Sequence, residues 1–98
     1  MKEGLRAVIF RFKKKLKVSY QKQGYIHFFS HNYKKLSAKE KNKIDKLCSL
    51  AGGEYSEALK RYMTTDVTDV QVCLEYYISK ATLYRCVDKY IKLFADTI

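Results

Sequence analysis

The stretch Val72-Cys-Leu-Glu-Tyr-Tyr-Ile-Ser-Lys-Ala-Thr-Leu-Tyr-Arg-Cys-Val-Asp-Lys-Tyr90 decides the fold. Two helical patterns meet in it, with a serine between them. Upstream, Val67, Val70, Cys73, Leu74 and Tyr77 recur at three- and four-residue steps, the period of an amphipathic helix of about ten residues. The polar break Thr64-Thr65-Asp66 precedes it with residues suited to capping. Downstream, Leu83, Cys86, Val87, Tyr90 and Phe94 form a second stripe, and Lys80, Arg85, Lys89 and Lys92 occupy the opposite face. Ser79 stands at the N-cap of that second helix, where its hydroxyl oxygen accepts from the first free backbone amides.

Working outward, Ser37-Ala-Lys-Glu40 is a capping box that opens a helix carrying Ile44, Leu47, Cys48 and Ala51 at helical spacing. Gly52-Gly53 ends it, because glycine enters a left-handed cap without steric cost. Residues 54–63 form another helix, with Tyr55, Ala58, Leu59, Tyr62 and Met63 inside and Glu57, Lys60 and Arg61 outside. The first 36 residues are less decisive. Leu5, Val8, Ile9, Phe12 and Leu16 fit a helix, as do Tyr25, Phe28, Phe29, Tyr33 and Leu36, which predicts two helices broken near Gly24. Leu16, Val18 and Tyr20 alternate as a strand would, so a basic β-hairpin turning at Gln23-Gly24 is the alternative. The chain has no proline and four glycines, a composition that leaves little room for irregular loops. The expected fold is all-α, a small helical bundle over residues 37–98 preceded by a basic aromatic segment over residues 1–36.

The quoted stretch resembles the helix-turn-helix of DNA-binding proteins, the pattern Ile-Ala-x-x-Leu-Gly-Ile-Ser-x-x-Thr-Val-Tyr-Arg found in bacterial regulators, transposases and sigma-factor-like domains. The resemblance covers about residues 66–94 and points to small regulators of the phage or mobile-element type. It implies that Cys73, a small residue, lets the two helices approach, that Ile78 fills the gap between them, and that Leu83 and Val87 anchor the second helix. Lys80, Ala81, Tyr84 and Arg85 would then face the major groove, with Arg85 suited to bidentate contact with guanine and Ala81 or Tyr84 to a thymine methyl. Ser79, Thr82 and Lys89 would hold phosphate, fixing position without reading sequence. Asp88 is expected off the contact face. One residue departs from the pattern: the turn position usually held by glycine is Tyr77, where a left-handed backbone costs a side-chain-bearing residue about 1 kcal/mol or more.

Charge supports a polyanionic partner. The net charge is +10, and a basic protein attracts phosphate at long range whatever its fold. Residues 1–36 hold ten Lys and Arg against one acid, whereas residues 37–98 hold ten against nine. Attraction and recognition thus fall to different parts of the chain. Lys13, Lys14, Lys15 and Lys17, interleaved with Phe10, Phe12 and Tyr20, are candidates for contact with the DNA backbone or, with the aromatics, for stacking on unpaired bases. A basic amphipathic helix also suits an anionic membrane, but flanking phosphate contact is the more economical use beside a DNA reader.

Other classes find less support. No run approaches the roughly 20 apolar residues of a membrane span, and no apolar core with a small-residue cleavage site marks a secretory signal, so a cytoplasmic, nucleoid-associated protein is expected. Cys48, Cys73 and Cys86 lack disulfide or zinc-knuckle spacing. His27 and His31 lie four apart, the spacing of a shared metal, but no acid or cysteine adjoins them in sequence, and neither a metal nor any other cofactor is expected. No phosphate loop or activated nucleophile indicates an enzyme, and no small-molecule substrate is implied. The expectation is sequence-specific binding of double-stranded DNA in transcriptional regulation, with a homodimer supplying two half-sites through N-terminal aromatics or through Phe94 and Ile98. Two alternatives stand beside it: a protein-interaction module such as an anti-repressor or sigma-factor partner, and an RNA or single-strand binder led by the N-terminal segment.

Overall fold

The computed structural model describes residues 12–98, and every regular element in that span is helical. Its α-helices are α1 Tyr20–His31, α2 Ala38–Gly52, α3 Ser56–Thr64, α4 Asp69–Tyr76 and α5 Lys80–Ala95, with 3-10 turns at Lys14–Leu16, Tyr33–Lys35 and Gly53–Tyr55. The all-α expectation holds for these residues. Neither expectation for Gly24 does: α1 runs through it, so there is no helix break there and no hairpin. Ser19 starts α1 by accepting from the Lys22 amide at 3.1 Å, and the face bearing Gln23, Ile26 and Ser30 is buried. Those tertiary contacts outweigh the roughly 1 kcal/mol that an interior glycine costs. The helix expected through Leu16 is, within the described residues, only a 3-10 turn with Leu16 buried. Leu5, Val8, Ile9 and Phe10 lie outside the described residues.

Around α5 the other helices assemble one core. Leu83, Tyr90 and Phe94 are fully buried, with Cys86, Val87 and Ile91 nearly so. They meet Ile44, Leu47, Cys48 and Ala51 of α2, Ala58, Leu59 and Met63 of α3, and Leu16 and Ile26 from the N-terminal segment. Burying each such aliphatic or aromatic side chain contributes about 1.5–3 kcal/mol. The Ser30 and Tyr90 hydroxyls, both fully buried, satisfy each other at 2.8 Å, which avoids the cost of an unpaired polar group. The capping box of α2 forms as expected, with the Glu40 amide donating to Ser37 Oγ at 3.2 Å and the Ser37 amide to Glu40 Oε1 at 3.0 Å. Gly53 then closes α2 at φ 55°.

Helix α4 departs from its expected register. Thr68, not Asp66, caps it, so Val67 belongs to the linker. Within the helix Val72 is the buried residue, while Val70, Leu74 and Tyr77, expected inside, are 48%, 71% and 94% exposed. Two polar contacts explain this rotation. Asp69 and Glu75 lie three residues before and after Val72, on the same face of the helix. The Tyr84 hydroxyl of α5 donates to Asp69, and Arg61 of α3 donates through Nε and Nη2 to the two Glu75 oxygens at 2.7 and 3.1 Å. With both flanks fixed, Val72 points inward and the Val70, Leu74 and Tyr77 stripe points out.

Candidate nucleic-acid interface

Between α4 and α5 the chain turns in three residues. Tyr77 adopts the left-handed conformation, φ 54° and ψ 51°, the conformation that glycine takes without strain. Its amide and that of Ile78 both donate to the Cys73 carbonyl, the latter at 3.2 Å, closing α4 with a Schellman-type bond. Ile78 is 7% exposed and lies in the core cluster with Leu83 and Val87. Ser79 caps α5 by accepting from the Thr82 amide at 3.1 Å and donates to Thr82 Oγ1 at 2.9 Å. Arg85 Nη2 donates to the same Thr82 oxygen at 3.3 Å, so Ser79, Thr82 and Arg85 form one chain of contacts along the first turns. Lys80, Ala81, Arg85, Lys89 and Lys92 are all exposed, as the α5 pattern predicts.

Tyr84, the fourth expected base contact, is half-buried. Its hydroxyl is engaged by Asp69, and Lys13 Nζ lies 5.1 Å from the centre of its ring. The same ammonium pairs with Asp88 Oδ1 at 3.1 Å. Asp88 therefore sits beside Tyr84 at the edge of the expected contact face, with a cation against it. Lys13 is held there by Gln23, which is 2% exposed. Gln23 Oε1 accepts from the Lys13 amide and Gln23 Nε2 donates to the Lys13 and Val18 carbonyls, all at 2.9 Å. One buried amide thus fixes the basic segment against α1 and brings it to α5. Lys14, Lys15 and Lys17 of that segment are exposed.

Sequence reasoning took Gln23 only as part of a hairpin turn, gave Asp69 no role and placed Asp88 off the contact face, yet all three orient the candidate face. A polar residue at Gln23, followed by Ile26 and Ser30 at helical spacing, was the available signal for the first. Among the described residues no group of three or more His, Cys, Asp or Glu is placed to hold a metal. His27 and His31 instead pack ring against ring at 4.3 Å, and His31 Nδ1 lies 3.0 Å from the His27 carbonyl. Burial, then the neighbouring His31, lowers the His27 pKa to about 4. Burial also pushes the Cys48 thiol up to about 12 and raises that of Cys86 against the pull of Arg85 and Lys89, so neither is an activated nucleophile. Phe94, expected as a dimer contact, is fully buried, whereas Ile98 is 52% exposed. Among the described residues no helix is long and apolar enough to cross a membrane. No protein-family model, curated protein or solved structure matches the chain.

Proposed function

We propose that this protein binds double-stranded DNA as a sequence-specific regulator, with α4, the turn at Tyr77 and α5 acting as a helix-turn-helix and α5 as the reader. The observation that carries this reading is the two-sided character of α5. Leu83, Val87 and Tyr90 anchor it in the core while its serine-capped N-terminus leaves Lys80, Ala81 and Arg85 open to solvent. A capped helix end with exposed basic residues suits insertion into a major groove. Arg85 is the proposed guanine contact, Ala81 faces a base edge, and Tyr84 contributes through its ring because its hydroxyl serves Asp69. Lys14, Lys15, Lys17 and Lys89 supply phosphate contacts, with Ser79 and Thr82 fixing the start of the helix.

The test is selection of the purified protein against random duplexes at about 150 mM salt, where non-specific phosphate binding is already weakened, with Arg85→Ala run in parallel. Enrichment of one short motif, relaxed at a single position by the substitution, is the expected result. Absence of enrichment would remove the reading and favour a protein-interaction module, for which the exposed apolar side of α4 is the supporting observation.

A further inference from the structure

The open face of α5 has two edges, and they carry different cations. Tyr84 and Asp88, one helical turn apart, mark one edge; Thr82 and Lys89 mark the other, with Ala81 and Arg85 between them. Residues 13–17 lie along the first edge. Lys13 Nζ pairs with Asp88 at 3.1 Å and lies 5.1 Å from the centre of the Tyr84 ring. Gln23 holds both the amide and the carbonyl of Lys13, and Leu16 is buried in the core cluster, so the segment is fixed relative to α5. Lys13 is occupied by Asp88. Lys14, Lys15 and Lys17 are exposed and, among the described residues, are not ion-paired with any acid. The backbone adds an independent observation. Lys17 adopts φ 58° and ψ 30°, a left-handed conformation that glycine takes freely and a residue bearing Cβ does not. Its exposed side chain gains little from packing in return, and strain of this kind clusters at contact sites.

We infer that Lys14, Lys15 and Lys17 form a preset clamp on one sugar-phosphate strand, and that α5 lies between this clamp and Lys89 on the opposite strand. The inference rests on the proposed reading of α5 as the groove-bound helix, and it adds the side on which the complex extends. A major groove about 12 Å wide admits a helix about 10–12 Å across, so each edge of α5 faces one phosphate strand. Lys89 serves its strand from within α5 itself. The three clamp lysines project from a separate segment and reach phosphates beyond the base pairs that α5 reads. The contact with DNA is therefore one-sided, extended on the Tyr84 and Asp88 edge alone.

Hydroxyl-radical footprinting of the full chain on the duplex motif recovered by selection tests this. Three variants run beside it: Lys14→Gln/Lys15→Gln/Lys17→Gln, Lys89→Gln and Lys17→Gly. The wild type is expected to protect the motif and one flank, the same flank at each copy of the motif. At saturating protein the triple variant should keep the motif and lose the flank, and its slope of log K against log salt should be shallower by about three. Lys89→Gln should lose contact on the opposite strand and leave the flank protected. Lys17→Gly separates charge from fold: it should raise Tm by relieving the turn, yet weaken binding about fivefold at 150 mM salt, the loss of one phosphate contact. Protection of both flanks around a single motif, a triple variant whose flank stays protected, or a Lys17→Gly variant that binds as tightly as the wild type would each overturn the clamp while leaving α5 as the reader. Failure to recover any motif would remove both.

Discussion

Replacing Tyr77 by glycine should stabilise this protein, although it removes the largest side chain of the turn. Tyr77 holds φ 54° and ψ 51°, and a side chain bearing Cβ costs about 1–2 kcal/mol in that conformation. Nothing in the packing offsets this cost, since Tyr77 is 94% exposed. Glycine removes the strain but enlarges the freedom of the unfolded chain, a loss of about 0.5–1 kcal/mol. The difference leaves a net gain of about 0.5–1 kcal/mol, and for a domain of this size it raises Tm by about 2–8 °C. Thermal unfolding followed by circular dichroism measures it directly. Asn tolerates the left-handed region better than tyrosine and should give a smaller rise, whereas β-branched Val should lower Tm. A glycine variant that melts at or below the wild-type temperature would refute the assignment of strain to this turn.

Gln23→Ala leaves the Lys13 amide and the Lys13 and Val18 carbonyls without their partner. It should destabilise by about 2 kcal/mol, seen as a drop in Tm of about 8–16 °C. Asp88→Asn frees the Lys13 ammonium from its 3.1 Å pair. Binding to a non-specific duplex should tighten, and the slope of log K against log salt should steepen by about one; an unchanged slope would mean that Lys13 never reaches phosphate. His27 has a folded-state pKa near 4, below its ordinary 6.5, so the unfolded chain binds the extra proton between those values. Stability should therefore fall as pH drops from about 6.5 towards 4, and His27→Gln should flatten that part of the profile in denaturant titrations.

The sequence made some elements plain and hid others for identifiable reasons. Capping at Ser37 and Ser79 was readable because the signal is local: a side chain and the amide three residues on suffice. The α5 stripe was readable because sixteen residues of unbroken period leave one solution. Helix α4 was misread in register because its eight residues, with apolar side chains on several sides, fit more than one face. Its rotation is decided by Arg61 and Tyr84, which lie 14 and 15 residues from their acidic partners. Helix α1 was misread for a related reason. Its aromatics resembled a core stripe, but the buried face carries Gln23 and Ser30, polar residues whose partners lie in the N-terminal segment and on α5. Periodicity counts apolar residues and does not register a buried polar contact between distant elements.

Those polar contacts also determine which surfaces are left for function. Had α4 buried Val70, Leu74 and Tyr77, Asp69 would have turned away from Tyr84 and Glu75 from Arg61. The two carboxylates would then lose the Tyr84 and Arg61 donors that they have in the structure. With the observed rotation, the Tyr84 hydroxyl and the Arg61 guanidinium each hold one of these acids on the inner flanks of α4, and Lys13 offsets Asp88 on α5. Acidic groups near the basic face are thereby matched with donors, at the expense of leaving an apolar stripe on the far side of α4. The geometry that keeps α5 compatible with a polyanion is the same geometry that exposes the apolar side of α4. Arg61→Ala should therefore weaken duplex affinity, because Glu75 keeps only its Gln71 donor and loses its cation, whereas Arg85→Ala should in addition relax the sequence preference.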